Sequence, residues 1–257
     1  MGMRNEEIEM SIVLLSWNRK RFLEKGLKSM MEALSPDVRH EIILMDNASE
    51  DGTQEVLKSF ASHPEVKVVL NKRNLRFKGF NKLFGLAKGR IIVEVDDDVI
   101  EFPKGFDRIF IDYFKAFPDY GYLALDTVVN ELTDGNRGAY SFVDRRGDMV
   151  VEEGESRGYC AAFLRKDYRL IRPLTFLFRF SLRHPQDWVI SGLVRRVLRK
   201  RNGVIRGVKC LHAYGPLYAR EFGRLKYDWE KLETWRSVGL KSEYEKKLKG
   251  FTPHTVT

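Results

Sequence analysis

Cysteine is almost missing from this chain, with two residues, Cys160 and Cys210, in 257. Both sit in apolar stretches, which argues against a disulfide frame or a metal knuckle and for buried free thiols. Long apolar runs are missing as well: none approaches the roughly 18 residues that span a bilayer. The opening MGMRNEEIEM is acidic and polar where a secretory signal would be basic and then apolar. A cytoplasmic chain is expected, with at most peripheral contact at the inner face of a membrane. No Pro/Gly/Ser linker, tandem repeat or low-complexity tract divides the sequence.

What is present suffices for a globular enzyme. Apolar residues make up 43% of the chain, enough for the core of one large domain or one domain with an appendage. The formal charge of +9 favours anionic partners such as nucleotides, phosphates, nucleic acid or an acidic membrane face, without choosing among them. Much of the excess lies in RRVLRKR at 195–201 and in the C-terminal KYDWEKLETWRSVGLKSEYEKKLK. Either run can equally be a solvated helix face.

The first hundred residues alternate between two periodicities. Residues 10–15 read as a buried strand, and Phe22, Leu23, Gly26, Leu27, Met30, Met31 and Leu34 then recur at helical spacing until Pro36. Strands follow at 41–45, 66–70 and 90–95. Between them come a helix capped by Asp51, with Gln54 three residues on, and a short helix at 80–87 ended by Gly89. Strand, helix, strand, repeated in this way, implies parallel pairing with right-handed crossovers and helices on both faces of the sheet. The expected class is α/β, a doubly wound and mostly parallel sheet.

In such sheets ligands bind beyond the carboxyl ends of the strands, where strand order reverses. Those ends turn polar here: Ser16, Trp17 and Asn18; Asp46 and Asn47; Asp96, Asp97 and Asp98. With the order 3-2-1-4, the acidic triplet falls in the cleft. Adjacent carboxylates repel unless something positive lies between them, and a hard divalent cation suits them. In an extended segment Asp96 and Asp98 share one side and Asp97 the other. Glu94 is the one awkward residue in this strand.

Three stretches, SIVLLSWNRKRFLEKGLKSM, EIILMDNASEDGTQEVL and NLRFKGFNKLFGLAKGRIIVEVDDD, resemble in order the nucleotide-sugar-binding half of the family 2 glycosyltransferases, which have the GT-A fold. The likeness covers residues 10–105 and continues more weakly through RGYCAAFLRKD and HPQDWVISGLVRRV. It implies that Asp46 reads the base and that Ser16 and Asn18 lie against the nucleoside. It places Asp96 beside the ribose, Asp97 with the donor-binding group and Asp98 on a Mg²⁺ or Mn²⁺ ion at the diphosphate. Asn81 sits where the family often has an asparagine. Arg76 replaces a common glycine and is either a phosphate contact or a surface residue. Trp17 also departs from the pattern, so the resemblance leaves the donor open among UDP-, GDP- and dTDP-sugars. Rival readings stand beside these: Asp46 and Asn47 can begin a turn, and Asn81 can be a helix-surface residue.

The second half is expected to supply the acceptor side, a small mixed subregion. A helix at 106–117, a strand at 122–125, a hairpin turning at Arg146, Gly147 and Asp148, and a strand at 159–164 lead to an amphipathic helix after HPQDW. Asp187 opens that helix and is either an N-cap or, as the resemblance implies, the base that deprotonates an acceptor hydroxyl in a single inverting displacement. Gln186 stands where the family usually has a glutamate. His212, after a strand at 204–211, is either a packed histidine or a metal ligand.

The expected division is a catalytic domain over 1–216 and a C-terminal helical extension over 217–257. That extension either covers the core or rests on an anionic membrane near a glycan or lipid-linked acceptor. Two other classes compete. A sugar-phosphate nucleotidyltransferase would want a glycine-rich loop after the first strand, which SWNRKRF is not. A non-enzymatic polyanion binder would have no use for three aspartates in a cleft, and no nucleic-acid partner is expected.

Overall fold

Runs of β-branched and aliphatic residues bounded by polar turns form the strands of a computed structural model describing residues 8–226, apart from 131, 133–141, 155–157, 179 and 181–183. The N-terminal half runs β1 (Met10–Ser16), α1 (Lys20–Ala33), β2 (His40–Asp46), α2 (Thr53–Ser59), β3 (Val66–Leu70), α3 (Lys78–Leu86) and β4 (Ile91–Asp96). There follow β5 (Val99–Glu101), α4 (Phe106–Ala116), β6 (Tyr120–Thr127), β7 (Phe142–Arg146), β8 (Met149–Glu153) and β9 (Cys160–Leu164). The chain then continues with α5 (Arg165–Phe178), α6 (Gln186–Arg196), β10 (Arg201–His212) and α7 (Pro216–Glu221).

The sheet order is β3-β2-β1-β4-β9-β6-β10-β8-β7, with β5 on β10. The expected 3-2-1-4 order is therefore present, with all three pairs parallel. The chain reverses direction beyond β4, whose next neighbour β9 is antiparallel. Among the described residues parallel pairing recurs only between β6 and β10, so the second half of the sheet is mixed.

Burial on both faces explains why the central strands are continuously apolar. On one face Ile12, Leu14, Ile42 and Val93 meet α1 and α4 through Leu23, Leu27, Phe106 and Phe110. On the other, Val13, Ile43 and Ile92 meet α3, α5 and α6 through Phe84, Tyr168 and Ile190. Each such aliphatic side chain contributes about 1.5–3 kcal/mol by leaving water.

Three local expectations need correction. Gly52, at φ 90°, holds the cap position of α2, because only glycine takes that left-handed turn without strain. The Asp51 carboxylate still serves both neighbouring helices, accepting from Thr53 N–H at 3.0 Å and from Lys20 N–H at 3.1 Å. Gln54 turns back to the Ser49 carbonyl (3.2 Å), so no reciprocal capping box forms. Finally, Asp187 does not cap α6: Pro185 occupies that position and no side chain caps the helix.

The expected C-terminal helices beyond residue 226 lie outside the described residues. The part before that packs onto the domain, with Phe222 stacked on Phe22 of α1 at 4.3 Å between ring centroids. Tyr218 joins the same cluster with Ile100 and Leu211.

Candidate active site

The carboxyl ends of β1, β2 and β4 are laced together by their own loops. Asn47 N–H donates to the Ser16 carbonyl at 2.8 Å, carrying the ladder one step past the strands. Asn18, at φ 51°, gives its N–H to Ser49 Oγ and accepts from Glu50 N–H through Oδ1, both at 2.9 Å. Asp46 is fully buried and accepts from Ser49 N–H, which is the turn arrangement. Ser16 is also buried, and its Oγ has no hydrogen-bond partner, leaving one orphaned polar atom at this end of the sheet.

Beyond β4 the three aspartates separate as alternation suggests, although a turn at 97–98 does the separating. Asp97 accepts from Trp17 N–H at 3.2 Å and meets Arg19 Nε at 3.2 Å. Asp98 is buried, with Oδ1 2.9 Å from His212 Nε2 and Oδ2 3.1 Å from the Arg19 guanidinium. Asp96 turns to the same histidine at 4.0 Å. One donor atom from each of Asp96, Asp98 and His212 fits within 4.8 Å of the others.

Position in the fold forces this meeting. β5 pairs with the end of β10, and Ala213 N–H donates to the Asp98 carbonyl at 2.8 Å, so His212 arrives opposite Asp98. Tyr159 stacks on the imidazole with centroids 5.0 Å apart and fixes its plane.

Charge crowding follows. Burial first, and the Asp98 charge second, push Asp96 up to about 8. Its side chain is still 36% exposed, so the upward direction is secured by the neighbouring carboxylates as well as by burial. Asp97 is also raised, by burial, against the opposing pull of Arg19. Burial lowers His212, but Asp98 and Asp96 outweigh that and hold the imidazole above its ordinary value. Two carboxylates and an imidazole are a donor set that Mg²⁺ and Mn²⁺ accept, and a cation there would relieve the repulsion.

Asp187 lies close enough to Asp96 for their charges to interact. Its Oδ2 accepts from Gly158 N–H at 3.0 Å, just before β9. A Cβ on Gly158 would come within 2.4 Å of Asp187 Cβ and 2.7 Å of Glu94 Oε1, so this approach requires glycine. Glu94 is thereby explained: its carboxyl is buried beneath Asp187 and takes a short hydrogen bond from the Tyr122 hydroxyl. Burial, and then the Asp187 charge, hold it well above the usual carboxylate range.

Not every sequence candidate joins this group. Asn81 Oδ1 accepts from Thr175 Oγ1 at 3.2 Å and ties α3 to α5. Arg76 has an exposed side chain, and only its backbone takes part, its carbonyl accepting from Asn47 Nδ2 at 3.3 Å. Its φ of 50° is the left-handed conformation in which a glycine would be at ease. Two arginines were not anticipated. Arg19 is signalled only by the basic run after β1, and Arg224 donates to the carbonyls of Trp17 and Asn18 from beyond α7, which no short-range pattern foretells.

Residues 11–184 match the family model described as Glycosyl transferase family 2. The chain belongs to that family. As a glycosyl transferase family 2 chain it resembles, at 31% identity over 108 residues, EpsE of Bacillus subtilis (strain 168), which carries a provisional glycosyltransferase name. It is also 29% identical over 116 residues to the undecaprenyl-phosphate 4-deoxy-4-formamido-L-arabinose transferase of Pseudomonas fluorescens (strain Pf0-1). These matches cover 40% and 43% of this chain but only 38% and 34% of those relatives.

Among solved structures, the mannosyltransferase PcManGT of Pyrobaculum calidifontis, in complex with GDP-Man and Mn²⁺, superposes with a TM-score of 0.60 at 19% identity, covering 81% of this chain and 58% of that one. TarS 1-349 of S. aureus in complex with UDP gives a TM-score of 0.60 at 14% identity, covering 83% of this chain and 63% of that one. The fold is accordingly the GT-A type that the sequence resemblance implied.

Proposed function

We propose that this chain is an inverting, divalent-metal-dependent glycosyltransferase that moves a sugar from a nucleotide-diphosphate donor to a hydroxyl of a glycan or lipid-linked acceptor, in cell-envelope polysaccharide synthesis. The observation that carries the reading is the convergence of Asp96, Asp98 and His212 within 4.8 Å at the reversal point of the sheet. Relatives named as undecaprenyl-phosphate transferases favour a lipid-linked acceptor, and the neighbours bound to UDP and to GDP-Man favour a nucleotide-sugar donor.

In this reading the nucleoside lies over the ends of β1 and β2, near Ser16, Asn18 and Asp46, and the diphosphate lies toward Asp98. A bound Mg²⁺ or Mn²⁺, held by Asp98 and His212 with Asp96 beside them, would supply positive charge opposite the departing diphosphate. Arg19 holds Asp97 and Asp98 in place through its two ion pairs. Asp187 Oδ takes the proton of the acceptor hydroxyl while that oxygen bonds to the anomeric carbon. The bond from that carbon to the diphosphate breaks, its electron pair leaves with the phosphate oxygen, and configuration inverts. Gly158 N–H aims the Asp187 carboxylate.

The test is thermal unfolding with Mn²⁺ and a panel of UDP, GDP, dTDP and CMP compounds. At least one nucleoside diphosphate is expected to raise the melting temperature only when Mn²⁺ is present. No shift with any member of the panel overturns the reading.

A further inference from the structure

The most unusual surface feature is the outer side of α5. Its inner side is well buried: Tyr168 packs on Phe84 and Phe163, at 5.4 and 5.7 Å between centroids, and Ile171 and Thr175 are fully covered. On the other side Leu170 is 67% exposed and Leu177 76%, with exposed Pro173 between them at helical spacing. Phe176, 52% exposed, has the Arg172 guanidinium over its ring at 5.9 Å. Lys166, Arg169 and Arg172 are the charged residues exposed along this side. The one acid of the helix, Asp167, is buried and paired with Lys200 at 2.5 Å.

We propose that the outward face of α5 is a docking surface for an anionic lipid bilayer. The proposal deepens the functional reading above and rests on its lipid-linked acceptor. An apolar stripe edged only by cations is the composition of a helix that lies in the headgroup layer, its leucines among acyl chains and its arginines at lipid phosphates. A second copy of the chain is the poorer occupant, because a symmetric contact would set this basic edge against itself. Placement supports the bilayer as well. Lys200, just beyond α6, meets the first turn of α5, so α6 returns alongside α5 and its start lies toward the end where Phe176 and Leu177 project. The first turn of α6 holds Asp187 next to Trp188, itself 45% exposed and tilted against the His184 ring at 5.6 Å between centroids. A bilayer resting on α5 would thus deliver a lipid-linked acceptor to the side of the cleft where Asp187 stands.

Co-sedimentation of the full chain with phosphatidylcholine vesicles, with and without about a quarter phosphatidylglycerol, tests this. Binding is expected to the anionic vesicles, to weaken with salt, and to fall about tenfold in the double variant Leu170→Asp/Leu177→Asp. Lys166→Glu with Arg169→Glu is expected to remove the preference for anionic lipid. Absence of vesicle binding by the full chain, or its full retention in the leucine variant, overturns the proposal. So does a lower melting temperature of the leucine variant in lipid-free solution, since the chain itself would then cover the face, or a dimer that this variant dissociates. The nucleotide shift is measured in parallel. Vesicle binding without that shift sinks the transferase reading alone, and the shift without vesicle binding sinks the surface alone.

Discussion

At the scale of single residues, the site concentrates negative charge and spends few groups on each task. Asp187 is the group whose loss should separate chemistry from binding. Asp187→Asn is expected to keep the Mn²⁺-dependent nucleotide shift and to lower kcat by about 10²–10⁴-fold, measured as sugar transfer under saturating donor. Surviving turnover would move the base elsewhere. Asp98→Asn should abolish the Mn²⁺-dependent nucleotide shift itself, and sugar transfer with it, read by calorimetry with and without Mn²⁺ and nucleotide. Gly158→Ala should leave nucleotide binding alone but displace the Asp187 carboxylate, because the added carbon has no room. A fall in kcat with little change in donor KM is the expected signature. The aspartates were legible from sequence because a buried strand that ends in three carboxylates is conspicuous. Arg19, Tyr122 and Arg224 were not, since each acts across the sheet on a residue remote in sequence.

At the scale of elements, what could be read was what obeyed a period. The strands β1, β2 and β4 are buried on both faces, β3 is a short half-covered edge strand bounded by polar turns, and their helices carry clean apolar stripes, so their existence and order followed directly. β5 escaped notice because three residues make no pattern. α5 was missed for a physical reason: Leu170, Phe176 and Leu177 face outward, which blurs the apolar stripe, and Pro173 reads as a breaker.

Elements are also joined by buried polar bonds, and α4 gives the clearest case. Asp107 is fully buried and accepts from Ser35 N–H at 3.0 Å and Ser35 Oγ at 2.8 Å, with His40 Nε2 2.6 Å away. Burial alone would raise its carboxyl, but the His40 and Ser35 bonds prevail and hold it below the ordinary range. A lowered carboxylate stabilises the fold above its unfolded value and ceases to do so as pH falls through its folded one. This contribution should therefore be whole at neutral pH and fade below about pH 4. Asp107→Ala should cost about 3 kcal/mol in urea unfolding at pH 7 and flatten that acid limb. An unchanged acid limb would assign the pH dependence to other groups.

At the scale of the whole molecule, the site is a product of topology. Its acidic part comes from the end of β4 and its histidine from the end of β10, two strands that do not pair with each other but are bridged by β5. With Ser16, Asn18 and Arg19 at the end of β1, the site draws on residues from 16 to 212, nearly the whole of the described chain. A chain ending after residue 200 should neither unfold cooperatively nor gain stability from Mn²⁺, as circular dichroism with and without the ion would reveal. β10 is the latest strand in the chain among the described residues, yet its place is inside the sheet, between β6 and β8. Until it emerges from the ribosome, β6 keeps an open edge and the β7–β8 hairpin has nowhere to dock. The nascent protein must therefore hold a partly unzipped sheet from the completion of β6 until β10 is made, and the meeting of Asp98 with His212 waits for that strand.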